Sequence, residues 1–359
     1  MTEEARKVQT EILRIKNPQK QTEEIQKAAE IIKKGGLVAF PTETVYGLGA
    51  NGLDATAAAG IYEAKGRPSD NPLILHVANE EMLPLAVKEI TPLAQKLISA
   101  FCPGPITVIL PKADNVPEKV TGGLQTVGVR MPNNPVARAL IAASGVPIAA
   151  PSANISGRPS PTTAEMVALD LAGKIPCILD GGECHFGVES TIVDCTGEVP
   201  VILRPGAITK EMIEAVAGRV ELDQALLGTK DKPKAPGMKY THYAPNAPLT
   251  VVEGEAAKMS AAFVAGVKMM LAKGQTPGLI VSAETAAAVK GLLPKDHVFV
   301  YGKRGDLLKI AASLYQGLRV FDNKPCDILL AEGTTSEDLG LAIMNRLHKA
   351  SGFRSYYVK

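Results

Sequence analysis

The chain has 359 residues, 46% of them hydrophobic and 21% charged, a composition typical of a globular protein long enough for two domains. Because 39 basic and 37 acidic residues leave a net charge of only +2, bulk attraction to nucleic acid or to a membrane is not indicated. The sequence shows no apolar run long enough to span a membrane, so we expect a cytoplasmic protein without a membrane partner.

The first elements read from the chain are an extension and a helix. Residues 1–20 form the predicted extension, with a short edge strand around Ile12 and Leu13. Thr22 is the predicted N-cap of the helix that follows, and the acidic residues of its first turn suit the positive end of the helix dipole. Gly35-Gly36 ends this helix.

The segment 21–220 alternates irregularly between strand and helix patterns, which predicts a twisted mixed α/β sheet domain with a basic cavity. Strands are predicted at 37–40, 73–77, 107–110, 127–131, 147–150, 177–179, 191–194 and 201–204. Helices are predicted at 54–65, from Thr91-Pro92 onward, and at 135–143, 163–172 and 209–217.

After residue 220 the pattern changes twice. Residues 221–248 are rich in turn formers and charge, which indicates a linker, and we expect this linker to act as a lid. Residues 249–359 show strand patterns at 249–252, 278–281, 298–301 and 327–330, each followed by a helix. Four such units predict a smaller, doubly wound, Rossmann-like domain.

Two cations flank a glycine in Lys65-Gly66-Arg67 at the end of a predicted helix, and a Ser/Asn turn lies at 151–154. Arginine offers a planar fork to phosphate oxygens and lysine a mobile charge, so the pattern suits a polyphosphate. Taken alone, however, these cations fit a solvated helix end with Gly66 as its cap at least as well.

Gly47-Leu48-Gly49-Ala50-Asn51-Gly52 matches the glycine fingerprint of dinucleotide-binding folds. The expected acidic residue, Asp70, lies in a loop and not at the end of a second strand, so we favour a tight turn around a substrate loop. The five cysteines are dispersed without any metal-binding spacing and are expected to be buried free thiols.

A set of collinear motifs resembles the threonylcarbamoyl-AMP synthase family in its two-domain form. The motifs are FPTETVYGLG at 40–49, KGRP at 65–68, NPLILH at 71–76, GPIT at 104–107, VRMP at 129–132, PSAN at 151–154, ESTIVD at 189–194, LRPG at 203–206 and YTHYAP at 240–245. The resemblance implies a nucleotidyltransferase that condenses L-threonine, bicarbonate and ATP to L-threonylcarbamoyl-adenylate and releases pyrophosphate.

The resemblance also implies partners and cofactors. A tRNA threonylcarbamoyl transferase complex would receive the product transiently, so tRNA would be reached only indirectly. Mg²⁺ would arrive with the phosphates of ATP, and no tightly bound prosthetic group or protein-held metal is expected.

The site residues that the resemblance implies fall into three groups. The L-threonine group contains Thr44, His76, Arg130, Ala150 and Ser190. The ATP group contains Arg67, Asn71, Thr126, Ser152, Ser160, Arg204 and Tyr243. Lys65 and Arg67 are the implied catalytic cations, and Tyr46 and Asn154 are possible further contacts.

Three other functions stay open on the residues alone. An RNA-binding module with a basic cleft would bind in a strongly salt-dependent way without ATP. A carbamoyl-transferring maturation factor for metal centres would carry zinc-binding cysteine clusters, which this sequence lacks. A dinucleotide-dependent oxidoreductase would need the glycine fingerprint to follow a strand directly.

Overall fold

The computed structural model describes residues 8–227 and 243–358, which fall into two compact units. Within these residues, the first unit comprises 8–156, 160–185 and 189–227, and the second comprises 157–159, 186–188 and 243–358. The predicted domain boundaries stay predictions. Much of the predicted linker and its lid role lie outside the described residues.

The first unit contains one mixed sheet. Its strands are β1 (Glu11–Arg14), β2 (Val38–Phe40), β3 (Gly47–Asn51), β4 (Ile74–His76), β5 (Ile106–Pro111), β6 (Thr126–Arg130), β7 (Ile148–Ala150), β8 (Cys177–Asp180), β9 (Thr191–Asp194), β10 (Val201–Arg204) and β11 (Glu221–Leu222). They lie in the order β1-β8-β2-β3-β7-β4-β6-β5-β9-β10-β11. Strand β4 runs parallel to β6 but antiparallel to β7, so the predicted mixed sheet is confirmed.

Helices cover this sheet. They are α1 (Thr22–Lys33), α2 (Ala55–Lys65), α3 (Pro92–Phe101), α4 (Glu118–Thr121), α5 (Pro135–Ser144), α6 (Ala164–Leu171) and α7 (Lys210–Ala217), with 3-10 turns at Glu80–Leu85 and Gln224–Leu227. Helices α1 and α5 share an apolar cluster with alternate residues of β2 and β7, and the intervening strand residues belong to a second cluster. The sheet is therefore buried on both faces, as the near-continuous apolar strands require.

Local capping explains where several of these helices begin and end. Asp54 accepts hydrogen bonds from the backbone N–H groups of Thr56 and Ala57 at the start of α2, and Gly66 ends that helix with φ of 60°. The helix predicted from Thr91-Pro92 is confirmed, with Thr91 as its N-cap and Pro92 as its first residue. The predicted cap Thr22 is wrong, because the helix begins at Thr22 itself and the N-cap position is Gln21.

The glycine-rich segment from Gly47 is a strand, so the predicted tight turn is wrong. Strand β3 pairs antiparallel with β2 and β7. A Cβ on Gly49 would lie 2.7 Å from the side chain of Ile148 and 2.8 Å from that of Phe40. The glycines thus allow close packing of strands, which also removes the dinucleotide interpretation.

The second unit carries a parallel sheet. Its elements are β12 (Leu249–Gly254), α8 (Ala256–Ala272), β13 (Pro277–Ser282), α9 (Ala283–Ala288), a 3-10 turn at Lys295–His297, β14 (Val298–Gly302), α10 (Leu307–Arg319), β15 (Ile328–Glu332), α11 (Leu339–Ala350) and β16 (Ser355–Val358). The order is β14-β13-β15-β12-β16, and each strand runs parallel to its neighbours. The Rossmann-like architecture is confirmed, with β16 as an additional strand.

Within 8–227 and 243–358, no helix is both long and apolar enough to cross a membrane.

Candidate active site

The topology of the first unit brings several predicted site residues to one edge of the sheet. His76 and Arg130 end the parallel strands β4 and β6 and lie opposite each other in the register. Ser190 directly precedes β9, and Arg204 ends β10, which runs antiparallel to β9. Because β5 is antiparallel to β6 and parallel to β9, the start of β9 lies at the same edge as the end of β6.

Arg130 is the central cation of this edge. Its side chain is 5% exposed, and its Nη2 donates to the Glu43 carboxylate at 2.8 Å and to Thr42 Oγ1 at 3.4 Å. The Thr42 hydroxyl also lies 2.8 Å from that of Thr44. The Nε atom of Arg130 is buried and has no hydrogen-bond partner in the described part of the chain. An arginine held by one nitrogen and left with an unused donor suits a carboxylate ligand.

His76 is a neutral neighbour of this cation. Burial, assisted by the charge of Arg130, lowers the pKa of His76 to about 3. Its Nδ1 lies 3.2 Å from the carbonyl oxygen of Ile74, which can only accept, so we place the ring proton on Nδ1. Phe40 packs edge-on against the ring with centroids 5.9 Å apart. The site therefore holds an uncharged imidazole at neutral pH.

This depressed pKa predicts a pH-dependent contribution to stability. The folded state resists protonation that the unfolded chain accepts near the usual pKa of 6.5, so stability is complete above that pH and falls as the pH drops towards 3. The loss should approach about 1.4 kcal/mol per pH unit within that window. Replacing His76 with Gln should flatten this slope relative to the unchanged chain in urea titrations at successive pH values. Equal slopes would contradict a neutral buried His76.

Ser190 is held from two sides. Its hydroxyl lies 2.8 Å from Thr107 Oγ1 and accepts from Arg204 Nη2 at 3.1 Å, while Arg204 Nε donates to the Ser190 carbonyl at 3.1 Å. The neighbouring Glu189 accepts a 2.6 Å hydrogen bond from Ser160, and both side chains are buried. Ser190 and Arg204 are therefore joined by hydrogen bonds, and Ser160 is bonded to the residue that precedes Ser190 in the chain.

Lys65 supports the loop that follows β7. Its side chain is 2% exposed, and Nζ donates to the carbonyl oxygens of Ser152 and Asn154. Ser152 Oγ donates to Asn154 Oδ1 at 2.5 Å. Tyr46 accepts from the Ala153 N–H at its carbonyl, and its hydroxyl donates to the Gly182 carbonyl at 2.7 Å. Lys65 is thus not a solvated helix-end cation, and its charge lies beneath the Ser/Asn turn.

Arg67, Asn71, Thr126 and Ala150 lie towards the other ends of the central strands. Arg67 donates to the carbonyl oxygens of Asn71 and Pro72 at 3.3 and 3.2 Å. Thr126 begins β6, and Ala150 pairs with Ile74 at the start of β4. A ligand that contacted both sets would therefore run along the strand direction, across the sheet face.

Tyr243 lies in the second unit. It is 4% exposed, has φ of 66°, and stacks on Tyr315 with ring centroids 5.2 Å apart. The guanidinium carbon of Arg346 lies 5.9 Å from the Tyr243 ring centroid. Its assignment to ATP stays a prediction.

In the described ranges, no group of three or more His, Cys, Asp or Glu side chains is placed to hold a metal ion. All five cysteines are free thiols. Cys184 is buried, and burial raises the pKa of its thiol, which is the reverse of what an activated nucleophile requires.

Comparison with known proteins places this site in a family. Residues 30–206 match a family described as "Telomere recombination", and residues 208–352 match "Threonylcarbamoyl-AMP synthase, C-terminal domain". The threonylcarbamoyl-AMP synthase of Bacillus subtilis is 48% identical over 92% of this chain and 94% of its own length. The chain belongs to the threonylcarbamoyl-AMP synthase family. The synthase of Pyrococcus abyssi is 50% identical over 91% of this chain and 94% of its own length.

A solved threonylcarbamoyl-AMP synthase family structure supports the fold. The crystal structure of P. abyssi Sua5 complexed with L-threonine superposes with a TM-score of 0.90 at 48% identity, covering 98% of this chain and 99% of that one. Relatives named as synthases indicate that this chain is an enzyme.

Three buried residues of the family motifs received no role in the sequence analysis. They are Glu43, which pairs with Arg130, Thr107, which contacts Ser190, and Glu189, which accepts from Ser160. A partner such as Glu43 could have been predicted from the sequence, because an arginine buried in a binding site requires a counter-ion. The contacts of Thr107 and Glu189 could not be predicted in this way, because they join residues that are far apart in the chain.

Proposed function

We propose that the chain condenses L-threonine, bicarbonate and ATP to L-threonylcarbamoyl-adenylate and pyrophosphate, which makes it a nucleotidyltransferase. The observation that carries this proposal is Arg130, a buried arginine held by Glu43 with an unpartnered Nε beside a neutral histidine. Such a group suits the carboxylate of an amino acid. The names of the relatives and the threonine complex of P. abyssi Sua5 support the same ligand.

Threonine would bind with its carboxylate on Arg130. The hydroxyls of Thr44 and Ser190 supply neutral polar contacts, and the uncharged His76 avoids a second cation that would compete for the carboxylate. Ala150 pairs with Ile74, at the opposite end of β4 from His76, and its assignment to threonine rests on the family motif alone. These roles rest on the family motifs and on the contacts described above.

ATP would lie across the sheet face from this pocket. Arg67, Arg204 and Lys65 supply positive charge, and Ser152 and Asn154 supply neutral donors. Ile74, Ile109, Ile192 and Leu203 form an apolar cluster of strand residues, and the first three line a small cavity with Thr126. A purine base buries well on an apolar surface, whereas the triphosphate needs cations.

The proposed reaction needs positioning and charge stabilisation. The threonine amine attacks the carbon of bicarbonate, and after loss of water a carbamate remains. A carbamate oxygen attacks the α-phosphorus of ATP, and the bond to the β,γ-diphosphate breaks with release of pyrophosphate. Negative charge shifts to the leaving group, so Arg67, Arg204 and Lys65 would stabilise the transition state.

Mg²⁺ and a downstream enzyme complete the proposal. Mg²⁺ would be bound mainly by the ATP phosphates, where it neutralises charge. The product is a mixed anhydride that reacts with water. A separate tRNA-modifying transferase would therefore consume it after a transient encounter.

The test is pyrophosphate release with substrates omitted one at a time. Release should require ATP, threonine and bicarbonate together. Serine should react about 10–150-fold more slowly in kcat/KM, because one missing methyl group is worth about 1–3 kcal/mol. Release with ATP alone, or equal rates with any amino acid, would contradict the proposal. Salt-sensitive RNA binding without such turnover would favour the RNA-binding alternative.

A further inference from the structure

Two short segments of the N-terminal half belong by their contacts to the second unit. In the first, Gly157-Arg158-Pro159, the Pro159 carbonyl accepts from both Nε, at 3.0 Å, and Nη2 of Arg319 at the end of α10. Arg319 is 8% exposed. Arg158 forms an ion pair with Asp322, and the Gly157 carbonyl accepts from the Ala244 N–H at 3.0 Å. This segment is therefore held at each of its three residues.

The second segment, Phe186-Gly187-Val188, lies against the backbone of α10. Gly187 has φ of 69°, and a Cβ there would be 2.4 Å from Ala312 Cα and 2.5 Å from the Ala311 carbonyl oxygen. No side chain fits between Gly187 and the helix. The same helix thus fixes both segments, one through Arg319 and the other through backbone contact.

Both segments continue directly into the candidate active site. Pro159 is followed by Ser160, and Val188 is followed by Glu189 and Ser190. Where the chain re-enters the first unit, Ser160 donates its 2.6 Å hydrogen bond to Glu189. A displacement of the Pro159 carbonyl would therefore shift Ser160. Its hydrogen-bond partner Glu189, which directly precedes Ser190, would be shifted with it.

We propose that α10 positions the serines of the active site and that Arg319 is a positioning residue for the reaction. This inference rests on the proposed function. In this proposal the second unit contributes to synthesis by positioning residues and does not itself have to bind a ligand. Two donors from one guanidinium define both the position and the orientation of the Pro159 carbonyl, which a single flexible donor cannot do.

The experiment compares steady-state constants of full-length variants. Arg319→Ala should lower kcat/KM for ATP about 10–100-fold, because small displacements of positioning groups have effects of that size. Arg319→Lys, which keeps one donor, should fall between Arg319→Ala and the unchanged chain. It also serves as the test if Arg319→Ala does not fold. Wild-type constants in the folded variants would overturn the inference.

Arg354→Ala is the matched control. Arg354 Nε donates to the Leu249 carbonyl at 3.1 Å, a bond of the same kind in the same unit that involves neither segment. Its loss should leave kcat/KM unchanged at a temperature where all variants are folded. An equal fall in Arg354→Ala would show that general damage to the second unit, and not positioning, is responsible.

A double-mutant cycle tests the route through Ser160. If Arg319 acts by placing Ser160, the effect of Arg319→Ala should shrink several-fold in a Ser160→Ala background. If Arg319→Ala lowers kcat/KM by the same factor with and without Ser160→Ala, this route is overturned. Threonine-dependent pyrophosphate release by the unchanged chain is measured in the same assay. Its absence would count against the proposed function, whereas normal release with a silent Arg319→Ala counts only against positioning.

Discussion

Replacing Lys65 with Ala should reduce turnover severely and lower the free energy of unfolding by about 2–4 kcal/mol. Lys65 Nζ donates to the carbonyl oxygens of Ser152 and Asn154 from a side chain that is 2% exposed. Each buried carbonyl left without a donor costs about 1–3 kcal/mol, and the Ser/Asn turn would lose its support. Urea unfolding and pyrophosphate release measure the two effects.

Lys33→Ala is the matched control for Lys65. Each lysine is the last residue of its helix, but Lys33 is exposed and pairs with Glu30 at 3.0 Å on its own helix. Its replacement should change the unfolding free energy by less than about 0.5 kcal/mol and leave activity intact. If Lys65→Ala behaved like Lys33→Ala, Lys65 would be an ordinary helix-end cation.

Arg130→Ala should raise KM for threonine about 10–150-fold. Loss of a charge-assisted hydrogen bond costs about 1.5–3 kcal/mol, and each 1.36 kcal/mol is a factor of ten. Stability should also fall by about 3–5 kcal/mol, because Glu43 is left as a buried charge without its partner. Steady-state kinetics with threonine varied at saturating ATP give the first effect, and urea unfolding gives the second.

Two further variants separate binding from stability. Combining Arg130→Ala with Glu43→Gln removes the unpaired charge, so stability should recover in part while KM for threonine stays high. Arg304→Ala breaks another arginine–glutamate pair, in which the partly exposed Arg304 lies 2.9 Å from the buried Glu332 of the second unit, and should destabilise the protein without changing KM. A normal KM in folded Arg130→Ala would remove Arg130 from the threonine site.

The sequence predicted best those features that depend on near neighbours. The helix that begins at Thr91-Pro92 and the parallel strands of the second unit follow from residues a few positions apart. Thr22 was misplaced by one residue because Gln21, whose Oε1 accepts from the backbone N–H groups of Lys16 and Asn17, occupies the cap position.

Features that depend on distant strands were harder to predict. The segment Gly47–Asn51 has the local character of a turn, and only the closeness of Phe40 and Ile148 shows why a strand there needs glycine. The four-residue strand β16 is short and largely exposed, so the alternation of βα units did not indicate it.

The candidate site shows the same division. The motifs placed His76, Arg130, Ser190 and Arg204 in a site, and the sheet brings these four to one edge. The partners that hold them, above all Glu43 and Thr107, depend on pairing between strands far apart in the chain. The clustering of the motif residues was therefore predictable, whereas the contacts that support them were not.

The most direct measurement identifies the product by mass spectrometry after incubation with ATP, Mg²⁺, L-threonine and bicarbonate labelled with ¹³C. The account predicts L-threonylcarbamoyl-adenylate that carries the heavy carbon, formed by the unchanged chain and at a much lower rate by Arg130→Ala at limiting threonine. Formation of an adenylate without the labelled carbon, or of no adenylate while the protein is folded and supplied with all three substrates, would contradict it.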